Sequence, residues 1–155
     1  MTTIEAAERK HIPQILELWQ QLMDYHAAFD SLFEARPDGA KNWEHYLRDL
    51  MRLRDAKVFI AVKDDEIIGY SVCRSAAHPP VFKLEYYGLI MDMAVKREHQ
   101  RQGVGTMLLE TIYKWVHKMG LDRIELQVVP NNNMGYSFWK KHGFTDYLHS
   151  LYKRI

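Results

Sequence analysis

Apolar residues return at helical intervals in three stretches of the chain. Ile12, Ile15, Leu16, Trp19, Leu22 and Met23 form one stripe, and Trp43, Tyr46, Leu47, Leu50 and Met51 a second. Met107, Leu108, Thr111, Ile112, Trp115, Val116 and Met119 form the third. Steps of three and four residues place each set on one face of a helix. Between the stripes the pattern is β-like. A short strand begins at Ile4, and residues 57–62 and 66–74 are rich in β-branched and aromatic side chains, with Lys63-Asp64-Asp65 as the turn of a hairpin. Residues 84–96 read as a long central strand and residues 122–129 as another, ended by Pro130 and three asparagines. A short helix over 132–142, stopped by Gly143, and a final strand or hairpin arm over 144–155 complete the series. Residues 29–40, with Pro37 and Asp38-Gly39, read as a loop, residues 76–80 as a break, and Gly120 as the close of the third helix.

Strand, crossover helix and strand in succession make a βαβ unit, so the strands at 84–96 and 122–129 should be parallel and joined right-handedly. The earlier hairpins are antiparallel, which predicts an α/β (α+β mixed) fold with a mixed sheet flanked by helices. A length of 155 residues suits one domain, residues 1–155, and the chain shows no repeat or linker. With 47% hydrophobic and 26% charged residues the composition is that of a globular protein. A net charge of +1 offers no field to recruit nucleic acid or an anionic membrane. Cys73 is the only cysteine, so a reducing compartment is expected. No apolar run is long enough for a signal or membrane segment, and a cytoplasmic location is expected. The eight histidines have no partner at metal-ligand spacing, so no metal site is expected.

The chemistry gathers where the central strand hands over to the third helix. Residues 95–105 read V-K-R-E-H-Q-R-Q-G-V-G. The first turn of a helix has N–H groups without acceptors and a partial positive charge, which together suit an anion. Gly103 and Gly105 remove side chains that would hold a pyrophosphate away, and Gln100, Arg101 and Gln102 add donors. Leu108 stands where a dinucleotide-binding loop needs its third glycine, and the lysine of a nucleoside triphosphate loop is absent.

Gln100-x-x-Gly103-x-Gly105 after a strand ending Met93-Ala94-Val95 resembles the acetyl-CoA signature of the GNAT superfamily of N-acetyltransferases. Downstream, L-Q-V-V-P-N-N-N-M-G-Y-S-F-W-K-K-H-G-F over residues 126–144 is similar to that family's strand, asparagine, short helix and closing Gly-Phe. The two motifs span residues 85–144, and a weaker likeness reaches the N-terminus. The resemblance implies a GNAT-like fold: a central, mostly antiparallel sheet, about four helices, and a splayed parallel strand pair at the cofactor site. It implies acetyl-CoA as cosubstrate, without a metal. Met93, Ala94 and Val95 would offer backbone groups to the pantetheine arm, and Gln100 through Thr106, Val104 included, would hold the diphosphate with Asn132 nearby. A backbone N–H at the strand edge could stabilise the oxyanion, a contribution of roughly 3 kcal/mol.

Transfer to an alkyl amine needs a base, because the amine arrives protonated at neutral pH. Many relatives place a glutamate before the aspartate of the central strand; Met91 stands there, leaving Asp92 and the more distant Glu85. Where relatives carry an acidic tyrosine this chain has Trp139, so three alternatives are open. Tyr136 substitutes, solvent protonates the thiolate, or the protein binds acyl-CoA without transfer. Simpler roles compete throughout: glycines relieving a tight turn, Asn132 as a helix cap, Trp139 and Phe138 as core, Cys73 as a small hydrophobe, and Lys96 and Arg97 as loop solvation. Asp24, Asp30, Glu34 and Asp38 would favour a cationic acceptor, small molecule or protein amine. Residues 147–152 would support a homodimer if they paired as a strand edge. A regulatory acyl-CoA module and a structural interaction domain are the rival classes.

Overall fold

A computed structural model describes residues 1–155. Five strands form one sheet in the order β1 (Thr3–Ala6), β2 (Ala56–Lys63), β3 (Glu66–Ala77), β4 (Tyr86–Val95) and β5 (Ile124–Glu125). All neighbours are antiparallel except β4 and β5. Helices α1 (Ile12–Ala27) and α2 (Gly39–Leu50) precede β2, α3 (Val104–Lys118) joins β4 to β5, and α4 (Asn133–Lys141) follows. No helix is long and apolar enough to cross a membrane.

Alternation along the strands splits the apolar residues between two cores. Val58, Ile60, Tyr70 and Val72 meet α1 and α2 through Ile12, Ile15, Trp19, Leu47 and Leu50. Phe59, Ala61, Cys73 and Ile90 turn the other way, onto Leu108, Leu109, Ile112 and Val116 of α3. Complete burial of Leu47 contributes roughly 1.5–3 kcal/mol. A helix of 12 residues such as α2 is marginal alone, so this docking holds it.

Two irregularities interrupt the ladder. Asp64 and Asp65 both adopt positive φ (51° and 62°), the geometry of a tight two-residue hairpin turn between β2 and β3. In β4, Val72 faces Asp92 while Cys73 faces Ile90, so Met91 is an extra residue, a β-bulge. Met91 consequently packs toward the α1–α2 core, the same side as its neighbour Asp92.

The second strand of the βαβ unit is shorter than its β-rich composition suggests. Of residues 122–129 only Ile124 and Glu125 pair, because β4 and β5 part immediately beyond them. Residues 144–155 are likewise not the expected strand or hairpin arm. A two-residue β5 offers no ladder for them to join, and side chains hold the segment instead. Phe144 packs edge-on to Trp139 (5.3 Å between rings), Asp146 meets Tyr136 and Lys140, and the Tyr147 hydroxyl donates to Glu125. Residues 147–152, the segment expected to pair across a dimer, form no strand within the chain.

Gly88 marks the closest approach of α3 to the sheet: a Cβ there would stand 2.7 Å from Val116 Cγ2. Gly88→Val should lower stability by about 1–3 kcal/mol in urea denaturation, with Val116→Ala recovering part of the loss in the double variant.

Candidate active site at a fork in the sheet

Parallel pairing of β4 with β5 is confined to Gly88 with Ile124 and Leu89 with Glu125. From Ile90 to Val95 the outer edge of β4 has no strand beside it, so its outward backbone groups, except the Val95 carbonyl that Gln100 occupies, are free to pair with an extended ligand. The root of the fork is fastened by the nearly buried Glu125. Its carboxylate meets His78 Nε2 at 2.7 Å, accepts from Arg123 Nε at 2.9 Å, and accepts from the Tyr147 hydroxyl. Burial alone would push this carboxyl up, but the hydrogen bonds from Tyr147, Arg123 and His78 outweigh it and hold the group below its usual range.

At the far end of β4 the chain makes a short helical turn (Arg97–His99) and enters α3 through two left-handed residues, Arg101 (φ 61°) and Gly103 (φ 85°). Backbone N–H groups from Gly103 to Thr106 find no acceptor in the chain, and the first helical bond runs from Met107 to Gly103. Left-handed residues ahead of a helix N-terminus make a concave row of donors that suits an anion. The side chains around it divide into separate tasks. Gln100 donates from Nε2 to the Val95 carbonyl (3.0 Å) and Gln102 to the Glu98 carbonyl (3.2 Å), bracing the turn, while Arg101 projects into solvent. Val104 is buried in the α3 core, and Thr106 Oγ1 lies 3.2 Å from His142 Nε2.

The two glycines do not share one role. A Cβ on Gly103 would meet nothing within 4 Å, leaving the donor row uncovered on that side. A Cβ on Gly105 would stand 3.1 Å from the Phe138 ring, so Gly105 spaces α3 from α4 rather than clearing room for a ligand.

Met93 and Val95 pack toward α3 and Ala94 toward α1 and α2, leaving their backbone as what they can offer at the edge. Asn132, 7% exposed, caps α4 by accepting from Gly135 N (3.0 Å). The same oxygen accepts from the Tyr25 hydroxyl of α1 (2.9 Å), tying the helix on one face of the sheet to the helix on the other. Sequence reading assigned the cap and missed Tyr25, whose helical position shows only in three dimensions.

Asp92 stands on the α1–α2 side of the sheet, half-buried beside Tyr70. Burial pushes its carboxyl from the ordinary 3.8 up to about 6, against the opposing pull of His26 and the Tyr70 hydroxyl. Tyr70 Oη is sealed from solvent without a hydrogen bond of regular geometry, and burial together with Asp92 holds its own proton tightly. Neither Tyr70 nor His26 was apparent as a neighbour of Asp92 from sequence, because both juxtapositions depend on register and docking. Glu85 is seven residues upstream, about 23 Å along an extended strand, and exposed. Tyr136 donates to both oxygens of Asp146 (3.1 and 2.9 Å), and Asp146 raises its pKa. Trp139 is core. Of the acids near the first loop, Asp24 accepts from Gln20, Asp30 caps a short turn through Leu32 N, and Asp38 pairs with Arg36.

A fork between parallel strands, a donor row at a helix N-terminus and a half-buried carboxyl thus lie along one strand and the turn after it. The chain belongs to the acetyltransferase (GNAT) family, whose profile matches residues 16–144. It is similar to the uncharacterized N-acetyltransferase YobR of Bacillus subtilis, 27% identical over 109 residues that cover 70% of this chain and 40% of that one. The chain spans between 40% and 57% of the length of the curated relatives it matches. In three dimensions it resembles a Bacillus halodurans protein with a TM-score of 0.90, at 18% identity over 99% of each chain. It also resembles the aminoglycoside N-acetyltransferase AAC(6')-Iy, solved with CoA, with a TM-score of 0.80 at 15% identity over 100% of this chain and 95% of that one. At such identities the structural likeness is one of fold.

Burial of Asp92 makes stability depend on pH. A carboxyl with a raised folded pKa keeps its proton in the native state after the unfolded chain has released it, so stability falls as pH rises from about 4 to about 6. Asp92→Asn should therefore stabilise the protein by roughly 1–3 kcal/mol at pH 8 and by much less at pH 4. Urea titrations at the two pH values check this; an equal gain at both would show that the charge is not the cause.

Proposed function

We propose that this protein transfers the acetyl group of acetyl-CoA to a primary amine by direct attack in a ternary complex. The observation that carries the reading is continuity: the free donors of Gly103 to Thr106, the unpaired edge of β4 and the carboxyl of Asp92 follow one another along the chain. An aminoglycoside N-acetyltransferase of the same fold holds CoA, which supports it.

Each part then has a task. Gly103 to Thr106 receive the diphosphate, with Asn132 beside the path of the pantetheine arm. The edge of β4 at Met93 to Val95 aligns that arm as an added strand would. Acetyl-CoA supplies a thioester carbonyl open to attack and a thiolate leaving group. Asp92 accepts the proton of the ammonium group, directly or through water, and a carboxyl near 6 is well matched to a base at neutral pH. A thiol of pKa about 8.5 departs without a dedicated acid, so solvent suffices to protonate it. Tyr136 is left out of the reaction because its hydroxyl is engaged by Asp146.

The absence of a free tyrosine acid near Trp139 favours a second reading, binding without transfer, and the same assay separates the two. Released thiol with acetylated product on an amine panel is expected from the wild type. The rate should climb with pH through an apparent pKa near 6, and Asp92→Asn should lower kcat by about 100-fold and remove that limb while CoA still binds. CoA binding with no thiol release on any amine would leave the binding module standing.

A separate variant addresses the cradle. Gly103→Trp projects into open space, so the fold should persist with a loss of about 1–2 kcal/mol for the strained φ, while calorimetry shows CoA binding abolished. Undiminished binding would remove the donor row from the site.

A further inference from the structure

Arginines that are half-buried in this chain come in two kinds. Arg48 pairs with Glu44 and Arg123 with Glu125, whereas Arg74 has no carboxylate within ion-pair distance. Its Nε donates to the Ser75 carbonyl at 3.3 Å, which anchors the base of the guanidinium and leaves the two terminal nitrogens for another partner. Those terminal nitrogens are open to solvent, so an anion entering beside them displaces water and gains a charge-assisted, bidentate pair with no competing carboxylate of the chain to break.

Arg74 lines an open cleft of about 460 Å³ together with Asp55, Ala76, Tyr86, Leu89 and Met91. The volume suits a small molecule rather than a polymer. Asp55 accepts from Ser75 Oγ at 3.2 Å and lies beyond ion-pair reach of Arg74. The cavity adjoins the proposed catalytic carboxyl. Arg74 faces Leu89 and Val72 faces Asp92 across the β3–β4 ladder, so the two partners on β3 are two residues, about 7 Å, apart on the same face. The bulge at Met91 brings the apolar wall and Asp92 next to each other.

We propose that the amine accepted by this protein carries a carboxylate, and that Arg74 binds it while Tyr86, Leu89 and Met91 receive an apolar body; an apolar amino acid has this chemistry. The inference rests on the transfer reading above and specifies its acceptor. In the reaction the ammonium group first gives one proton to Asp92; the freed amine nitrogen forms a C–N bond to the acetyl carbon as the C–S bond breaks, its second proton passes to solvent, and the CoA thiolate takes a proton from solvent. The products are an N-acetyl amino acid and CoA. Arg74 is a specificity residue; it holds the substrate and takes no part in bond making.

Matched pairs differing only in the carboxylate test this: leucine against isoamylamine, and phenylalanine against phenethylamine, with acetyl-CoA and the full chain. The amino acids should be used with at least 10-fold higher kcat/KM. Arg74→Met should erase that preference through KM, leaving kcat, the rates with the two simple amines and CoA affinity unchanged. Arg74→Lys should restore part of it, which separates charge from folding. Equal or better use of the simple amines, or a preference untouched by Arg74→Met, would overturn the proposal. If no amine is acetylated, calorimetry with N-acetyl-leucine on the CoA-loaded protein decides. Binding weakened at least 10-fold by Arg74→Met keeps the carboxylate site and removes only the transfer reading, whereas no binding to the wild type removes the site.

Discussion

Backbone hydrogen bonding between β4 and β5 ends after two residue pairs, and the rest of the site depends on that early end. A strand edge inside a protein is normally paired, because an unpaired N–H or C=O away from water costs free energy. Here β5 turns off toward α4 and leaves the outer half of β4 open, so the sheet itself creates a slot with hydrogen-bonding demand along one side. Helix α3 begins at one end of the slot with donors of its own, and Asp92 stands partway along it. Three features that could have evolved as separate sites are thus consecutive stretches of a single strand and the turn after it.

The bulge at Met91 gives the slot its chemistry. In a regular strand the residue beside Asp92 would face α3 and be lost to the core. With the extra residue, Met91 and Asp92 share the α1–α2 face, one as apolar wall and the other as titrating group. Burial under α1 and beside Tyr70 then raises the carboxyl toward neutrality, with His26 limiting the rise. The stability given up to keep a charge there is the same quantity that brings the carboxyl into the range the proposed base would need.

Much of this was legible in the chain because periodicity reports burial directly. The stripes of α1, α2 and α3 turn inward, and the glycine-bearing junction lies where strand becomes helix. Composition misled at Leu126, Val128 and Val129 and again after Phe144, where β-prone residues have no ladder to join. Gly105 shows a subtler limit: its motif position is that of a ligand contact, yet the atom excluded by its missing side chain belongs to Phe138. The neighbours of Asp92 were hidden for a related reason. Tyr70, His26 and Arg74 reach that region through register, a bulge and helix docking, none of which leaves a local trace in the order of residues.

Glu125 gathers groups from three places at once. Its carboxylate receives His78 from the β3–β4 connection, Arg123 from the approach to β5 and Tyr147 from the tail of the chain. Segments distant in sequence thereby share one rivet at the vertex where the strands diverge. The vertex of the wedge is accordingly braced from behind by a polar cluster, to which Tyr147 is the contribution of the segment after α4.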